Sequence, residues 1–138
     1  MKKQKVNIRI ESVIDGELTV EEAKADLRQG DQMDVLIYEH EMDQVGLVRN
    51  FITIQNHKVN IKRTGQIIMN QQFLLDRITE TAYQHPYGNF HIELSTNDIQ
   101  SSLFDDAKQR GEVMIDYHSQ VNGTEKQKHR VTIVYEGE

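Results

Sequence analysis

The stretch Val48-Arg49-Asn50-Phe51-Ile52-Thr53-Ile54-Gln55-Asn56-His57-Lys58-Val59-Asn60-Ile61-Lys62-Arg63-Thr64 decides the fold class. Apolar residues recur at every second position on both sides of Asn56-His57, the period of a half-buried strand rather than of a helix. A two-residue loop at Asn56-His57 sets Ile54 against Val59 and Ile52 against Ile61, so both apolar faces fall on one side of a hairpin. That register also places Asn50 opposite Arg63 on the inner face. Such a tight loop needs a positive φ, which Asn56 tolerates better than His57.

The same alternation extends outward in both directions. Upstream, Val6, Ile8 and Ile10 alternate with Asn7, Arg9 and Glu11 before the turn signal Asp15-Gly16, and Met33 to Met42 reads as a further strand. Between them, Thr19 to Gln29 carries two signals. Thr19-Val20-Glu21-Glu22 has the form of a helix capping box and good helix formers follow, yet Ala23, Ala25 and Leu27 alternate with Lys24, Asp26 and Arg28. Among so many short strands, the strand reading is preferred.

Downstream, Ile67 to Leu75 puts Met69, Gln71 and Phe73 on one face, and Asp76-Arg77 turns into Ile78 to Gln84. His85-Pro86-Tyr87-Gly88-Asn89-Phe90 is a corner: the only proline suits the second position of a turn, and Gly88 supplies freedom just after it. Phe90, Ile92 and Leu94 then resume the alternation. Residues 98 to 111 are polar and leave two readings, a strand running to about Phe104 or a short helix capped by Ser101/Ser102 and ending at Gly111. Val113, Ile115 and Tyr117 make one face of the penultimate strand, and Val131, Ile133 and Tyr135 one face of the last. A two-residue turn at Asn122-Gly123 would oppose Ile115 with Arg130, so an odd loop, Val121-Asn122-Gly123 with a bulge at the glycine, is expected. About ten short strands, with no repeat or linker, describe one all-β domain over residues 1–138, a barrel or sandwich.

Composition excludes several chemistries. With 138 residues the chain can bury a core, and with no cysteine it has no disulfide, thiolate site or thiol nucleophile. A net charge of -6 and no long basic run argue against nucleic acid as a partner. Lys2, Lys3 and Lys5 are followed by no continuous apolar segment, and no window reaches a transmembrane length. The expectation is a soluble, cytoplasmic protein with no membrane partner. Hydrolase, phosphate-loop and dinucleotide fingerprints are absent.

Lys62-Arg63-Thr64-Gly65, Asn70-Gln71, the run Thr81 to Phe90, Gly111 to Tyr117 and Val121-Asn122-Gly123 carry a family resemblance. The chain resembles the YwiB-like family, a bacterial domain of unknown function with a calycin-like, meaning lipocalin-like, β-barrel. The resemblance spans Lys5 to Tyr135, and its most specific part is Thr-x-Tyr-x-x-Pro-Tyr-Gly-x-Phe. Departures are Ala82, where glycine is common, and the longer, helix-prone residues 98 to 111. What it implies is a single antiparallel calycin-like barrel of about ten strands and strand for Thr19 to Gln29, while residues 98 to 111 themselves leave room for one short helix. It brings no activity, cofactor or catalytic residue.

Two groups stand out as candidate ligand contacts. Arg63 continues the inner face of Val59 and Ile61, with Asn50 opposite and Gln71 on the next strand. A guanidinium drawn from water needs an acceptor, which an anionic or carboxylate ligand would supply, or else water or an internal glutamate such as Glu80. Tyr83 and Tyr87, with Phe90, form an aromatic wall at the corner, either a barrel-mouth contact or a plug. The six histidines show no tight metal spacing; His91 and His118, near Glu93 and Asp116, lie on polar strand faces that water explains. Glu39-His40-Glu41 cannot converge, because successive strand residues point to opposite faces. No metal, cofactor or catalytic residue is assigned. The leading expectation is a non-catalytic barrel binding an anionic or amphipathic small molecule. A protein-interaction module with a filled barrel comes second, an enzyme third, and oligomeric state stays open.

Overall fold

The alternation along the chain becomes ten antiparallel strands in a computed structural model that describes residues 2–138. They are β1 (Lys2–Ile14), β2 (Glu17–Gly30), β3 (Met33–Met42), β4 (Gly46–Gln55), β5 (Lys58–Gly65), β6 (Met69–Leu74), β7 (Ile78–His85), β8 (Gly88–Asp105), β9 (Arg110–Val121) and β10 (Gln127–Gly137). The sheet order is β6-β5-β4-β3-β2-β1-β10-β9-β8-β7, so every strand lies beside a chain neighbour and β1 pairs with β10. The sheet curls until its two edge strands meet. There Ile68 and Gln84 exchange backbone bonds of 3.0 and 2.9 Å. Beside them the Thr79 and Thr81 hydroxyls donate to the Gln72 and Asn70 carbonyls of β6 at 2.6 and 3.1 Å. Side-chain hydroxyls thus stand in for part of a ladder, and the barrel is nearly closed.

Thr19 to Gln29 is strand, as preferred. Each residue of β2 from Glu17 to Gln29 is paired with β1, from Ile14↔Glu17 to Lys2↔Gln29. Burying Ala25 and Leu27 against that partner outweighs the few tenths of a kcal/mol per residue by which the segment favours a helix. The short helix allowed for residues 98 to 111 does not form. β8 instead runs to Asp105 through register shifts at Thr96/Asp98 and Ser102/Asp105. The helix-like signal shrinks to one turn, in which the Asp105 carboxylate accepts from Ala107 N and Lys108 N while Gln109 N donates to Asp105 O.

The central hairpin has the expected register, Ile54↔Val59, Ile52↔Ile61 and Asn50↔Arg63. The residue at positive φ is His57 (62°) rather than Asn56, a correction to the turn chemistry. In the last hairpin Ile115 faces Val131 and Ile133 faces Val113, so the odd parity holds. The loop is longer than the three residues expected, with Ser119↔Gln127 as its innermost pair. Asp15 explains the extension: it exchanges two bonds with Lys128, N to O at 3.0 Å and Oδ1 from N at 3.2 Å, clamping the start of β10 to the β1–β2 turn.

One end of the barrel is sealed. Asp34, 2% exposed, accepts from Phe104 N at 2.7 Å and from the Tyr135 hydroxyl at 2.6 Å, tying β3 to β8 and β10. The Tyr135 ring stacks on Phe104 and lies over Gly111, its ladder partner, where an added Cβ would fall 2.4 Å from the ring. The middle is apolar, with Leu27, Leu36, Ile52, Val59, Phe73 and Ile115 among its buried residues. The opposite end is bounded by the β1–β2, β3–β4, β5–β6, β7–β8 and β9–β10 turns. Near it β2 and β3 part: only Asp26 to Gly30 pair with Met33 to Ile37, and β2 from Glu17 to Ala25 runs on without β3 beside it.

Candidate functional site

Apart from Asp34 at the sealed end, a cluster of polar side chains of the inner face gathers at the unsealed end. Val59, Ile61 and Arg63 share one face of β5, so the guanidinium points inward, and its Nε donates to Asn50 Oδ1 at 3.0 Å. Asn50 has no exposed surface at all. Its amide would cost a few kcal/mol if left unbonded there, so both halves must find partners. Because Arg63 can only donate, Asn50 Oδ1 faces it and Asn50 Nδ2 faces His40 Nδ1 at 3.0 Å. His40 Nδ1 is therefore an acceptor, and a neutral ring carries its proton on Nε2. That nitrogen lies 3.7 Å from Glu21 Oε1, across the gap between β3 and β2. Glu21 Oε1 is itself buried and without a hydrogen bond among the described residues. A directed chain thus runs Arg63, Asn50, His40, and stops short of Glu21.

Two tyrosines flank this chain. Burial pushes the Tyr38 hydroxyl pKa up, the Glu21 carboxylate adds to the rise, and Arg63 opposes it. Burial likewise raises Tyr117 to about 12 against the pull of Arg63. The Tyr117 ring packs edge-on against Phe73 at 4.7 Å and stacks on His129 at 4.5 Å. His129 Nε2 is 2.6 Å from the Ser119 hydroxyl. Burial lowers the His129 pKa, Asp15 opposes that shift and His118 reinforces it, so the ring favours its neutral form. A neutral imidazole beside a hydroxyl has the form of a base and a nucleophile. No hydrogen bond among the described residues orients His129 through Nδ1, which an activated pair needs.

Of the expected contacts, Arg63 and Asn50 come together directly. Gln71 sits on β6 opposite Ile61, half-buried and one rung from Arg63, without a bond to it among the described residues. Tyr83 lies at the same end, packed on Phe90 at 5.9 Å and His85 at 5.7 Å. Tyr87 is 74% exposed at the tip of the turn, its ring against His85. Glu80 is exposed, beside His91, and does not meet Arg63; the glutamate near the chain is Glu21. His118 bonds Asn97 and Asp116 holds Arg130, so neither joins His91. Sequence reasoning missed His40, Glu21, Tyr117 and His129. The alternation Asp34, Leu36, Tyr38, His40 was the available signal for His40.

Two grooves open on the outside of the barrel, one meeting His129 and the other Tyr38. One, of about 380 Å³, runs between the Asp15-Gly16 turn and Asp116, His129 and Arg130. The other, of about 440 Å³, lies where β2 and β3 part and meets Lys5, Lys24, Tyr38 and Arg49. Both are in the size range of small-molecule sites, roughly 300–1,000 Å³, though Arg63 lines neither.

Residues 5–133 match the model of a family described as a domain of unknown function (DUF1934). The uncharacterized beta-barrel protein YwiB of Bacillus subtilis (strain 168) is 29% identical over 106 residues, covering 77% of this chain and 72% of that protein. The crystal structure of the B. subtilis YwiB protein superposes with a TM-score of 0.87 at 28% identity, over 99% of this chain and 93% of that one.

Proposed function

We propose, for a chain that belongs to the DUF1934 family, that the barrel binds a small anionic or amphipathic molecule at its polar end, without catalysis. A calycin-like barrel with ligand access at one end is the architecture this reading assumes. The observation that carries it is Arg63. Its guanidinium is drawn onto the inner face and held through Nε by a fully buried amide, yet among the described residues no carboxylate lies within 4.0 Å of it. Arginine offers five donors in a fixed fork, and Nε uses one. The remaining donors suit a carboxylate or phosphate oxygen pair, with Tyr38 and Tyr117 as walls.

Native mass spectrometry of protein purified without refolding tests this. A co-purifying small acid is expected on the unaltered chain and lost, by about tenfold to a hundredfold in affinity, in Arg63→Gln. The melting temperature should move by only a few degrees, because glutamine can still donate to Asn50. A clean apo mass refutes the ligand reading. It would favour a protein-interaction module, for which one observation speaks: the stretch of β2 unpaired with β3 carries Leu18 and Val20 at 61% and 45% exposure.

A further inference from the structure

We propose that Glu80, His91 and Glu93, on the outer face of the β7–β8 hairpin, form a binding site for a divalent transition-metal ion, with Zn2+ as the occupant they suit best. One donor atom from each lies within 4.8 Å of the others. The three come from two paired strands: Glu80 and Glu93 are direct ladder partners, and His91 stands two residues from Glu93 on the same face.

Three features favour a cation here over an ordinary solvated face. Like charges directly opposite each other in a ladder are destabilising. No Lys or Arg nitrogen among the described residues lies at ion-pair distance from either carboxylate; the basic nitrogen beside them is His91 Nε2, 3.9 Å from Glu80 Oε1. His91 is also held in place. Its N–H donates to Asn122 Oδ1 and its C=O accepts from Asn122 N, both at 2.7 Å, so the side chain projects from a backbone whose donor and acceptor are both held by Asn122. Its ladder partner is Ala82, whose methyl leaves the imidazole room to turn.

The chemistry of the donors selects the ion. Two carboxylate oxygens and one imidazole nitrogen suit Zn2+, with bonds of about 2.0–2.2 Å and the fourth tetrahedral position left to water. Donors around such an ion sit roughly 3.4 Å apart, a contraction that glutamate rotamers on an exposed face can supply. Ca2+ and Mg2+ prefer an all-oxygen shell and more ligands than this site offers.

Isothermal titration of ZnCl2 into the full chain, carrying no polyhistidine tag, tests the site. One ion per chain is expected, with affinity lowered at least tenfold by His91→Ala and by the pair Glu80→Gln/Glu93→Gln, and unchanged by His118→Ala. A thermal melt adds a readout of opposite sign. Glu80→Gln should match or raise the melting temperature of the metal-free protein, by relieving repulsion, and should remove the rise that Zn2+ produces in the unaltered chain. Absence of saturable binding up to millimolar Zn2+, or binding that survives His91→Ala, overturns the proposal.

Discussion

Replacing Gly111 by alanine tests the account of the sealed end. The new methyl carbon would stand 2.4, 2.5 and 2.7 Å from Cζ, Cε2 and the hydroxyl of Tyr135. Carbon atoms in contact sit at about 3.5–4.0 Å, so the ring must retreat by roughly 1 Å. Tyr135 has no exposed surface, is stacked on Phe104 and is bonded to Asp34 at 2.6 Å, so retreat sacrifices packing and that bond together. Overpacking costs about 1–3 kcal/mol and a hydrogen bond to a carboxylate about 1.5–3, which gives a loss of about 3–5 kcal/mol. With a urea slope of about 2 kcal/mol/M, the unfolding midpoint should fall by roughly 1.5–2.5 M. The control reverses the sign. Glycine within a strand is itself unfavourable by about 0.5–1 kcal/mol relative to alanine. In a Tyr135→Leu background, with the ring gone, Gly111→Ala should therefore be neutral or stabilising. A loss below about 1 kcal/mol in the parent, or an equal loss in both backgrounds, refutes the reasoning.

Two further outcomes follow from the geometry. Burial depresses the His129 pKa below its ordinary 6.5, so the folded chain prefers the neutral ring. Its contribution to stability is complete above pH 6.5 and is lost as pH falls from there toward the folded value. Urea midpoints between pH 8 and pH 5 should consequently fall less steeply in His129→Gln than in the parent, and an identical slope would contradict the assignment. Thr81→Val removes the buried hydroxyl that bonds Asn70 O across the edge strands. It should cost about 1 kcal/mol and speed amide exchange in β6 and β7 but not along the β1–β10 ladder; unaltered exchange at the seam would show that the hydroxyl does not hold it.

How much was legible depended on whether one hairpin contained the answer. Asn50 and Arg63 belong to a single hairpin whose apolar parity admits one register, and they meet as read. His40 reaches Asn50 only through the β3–β4 register, and Glu21 approaches His40 across a place where two strands do not pair, so no local pattern joins them. The loop after β9 shows the same limit. Parity is a local property and was right, while the length depends on Asp15, which lies in the first turn of the chain. The polar run after Asp98 looked helical because Ala107, Lys108 and Gln109 are good helix formers and Ser101/Ser102 offered a cap; pairing with β9 through two register shifts decided it.

The ladder between β1 and β10 bears on how the barrel assembles. Strands β1 to β6 and β7 to β10 are two meanders, each able to zip from its own hairpins through short-range contacts. Joining Ile14 to His129 and Val6 to Gly137, by contrast, closes nearly the whole chain into one loop. The entropy of that closure comes before the contacts that reward it, which makes it the slow step for a chain of this topology. Until it happens the inner edges of both meanders stay bare, each a template for the wrong strand. A newly made chain is thus most prone to aggregate in the interval before its first and last strands find each other.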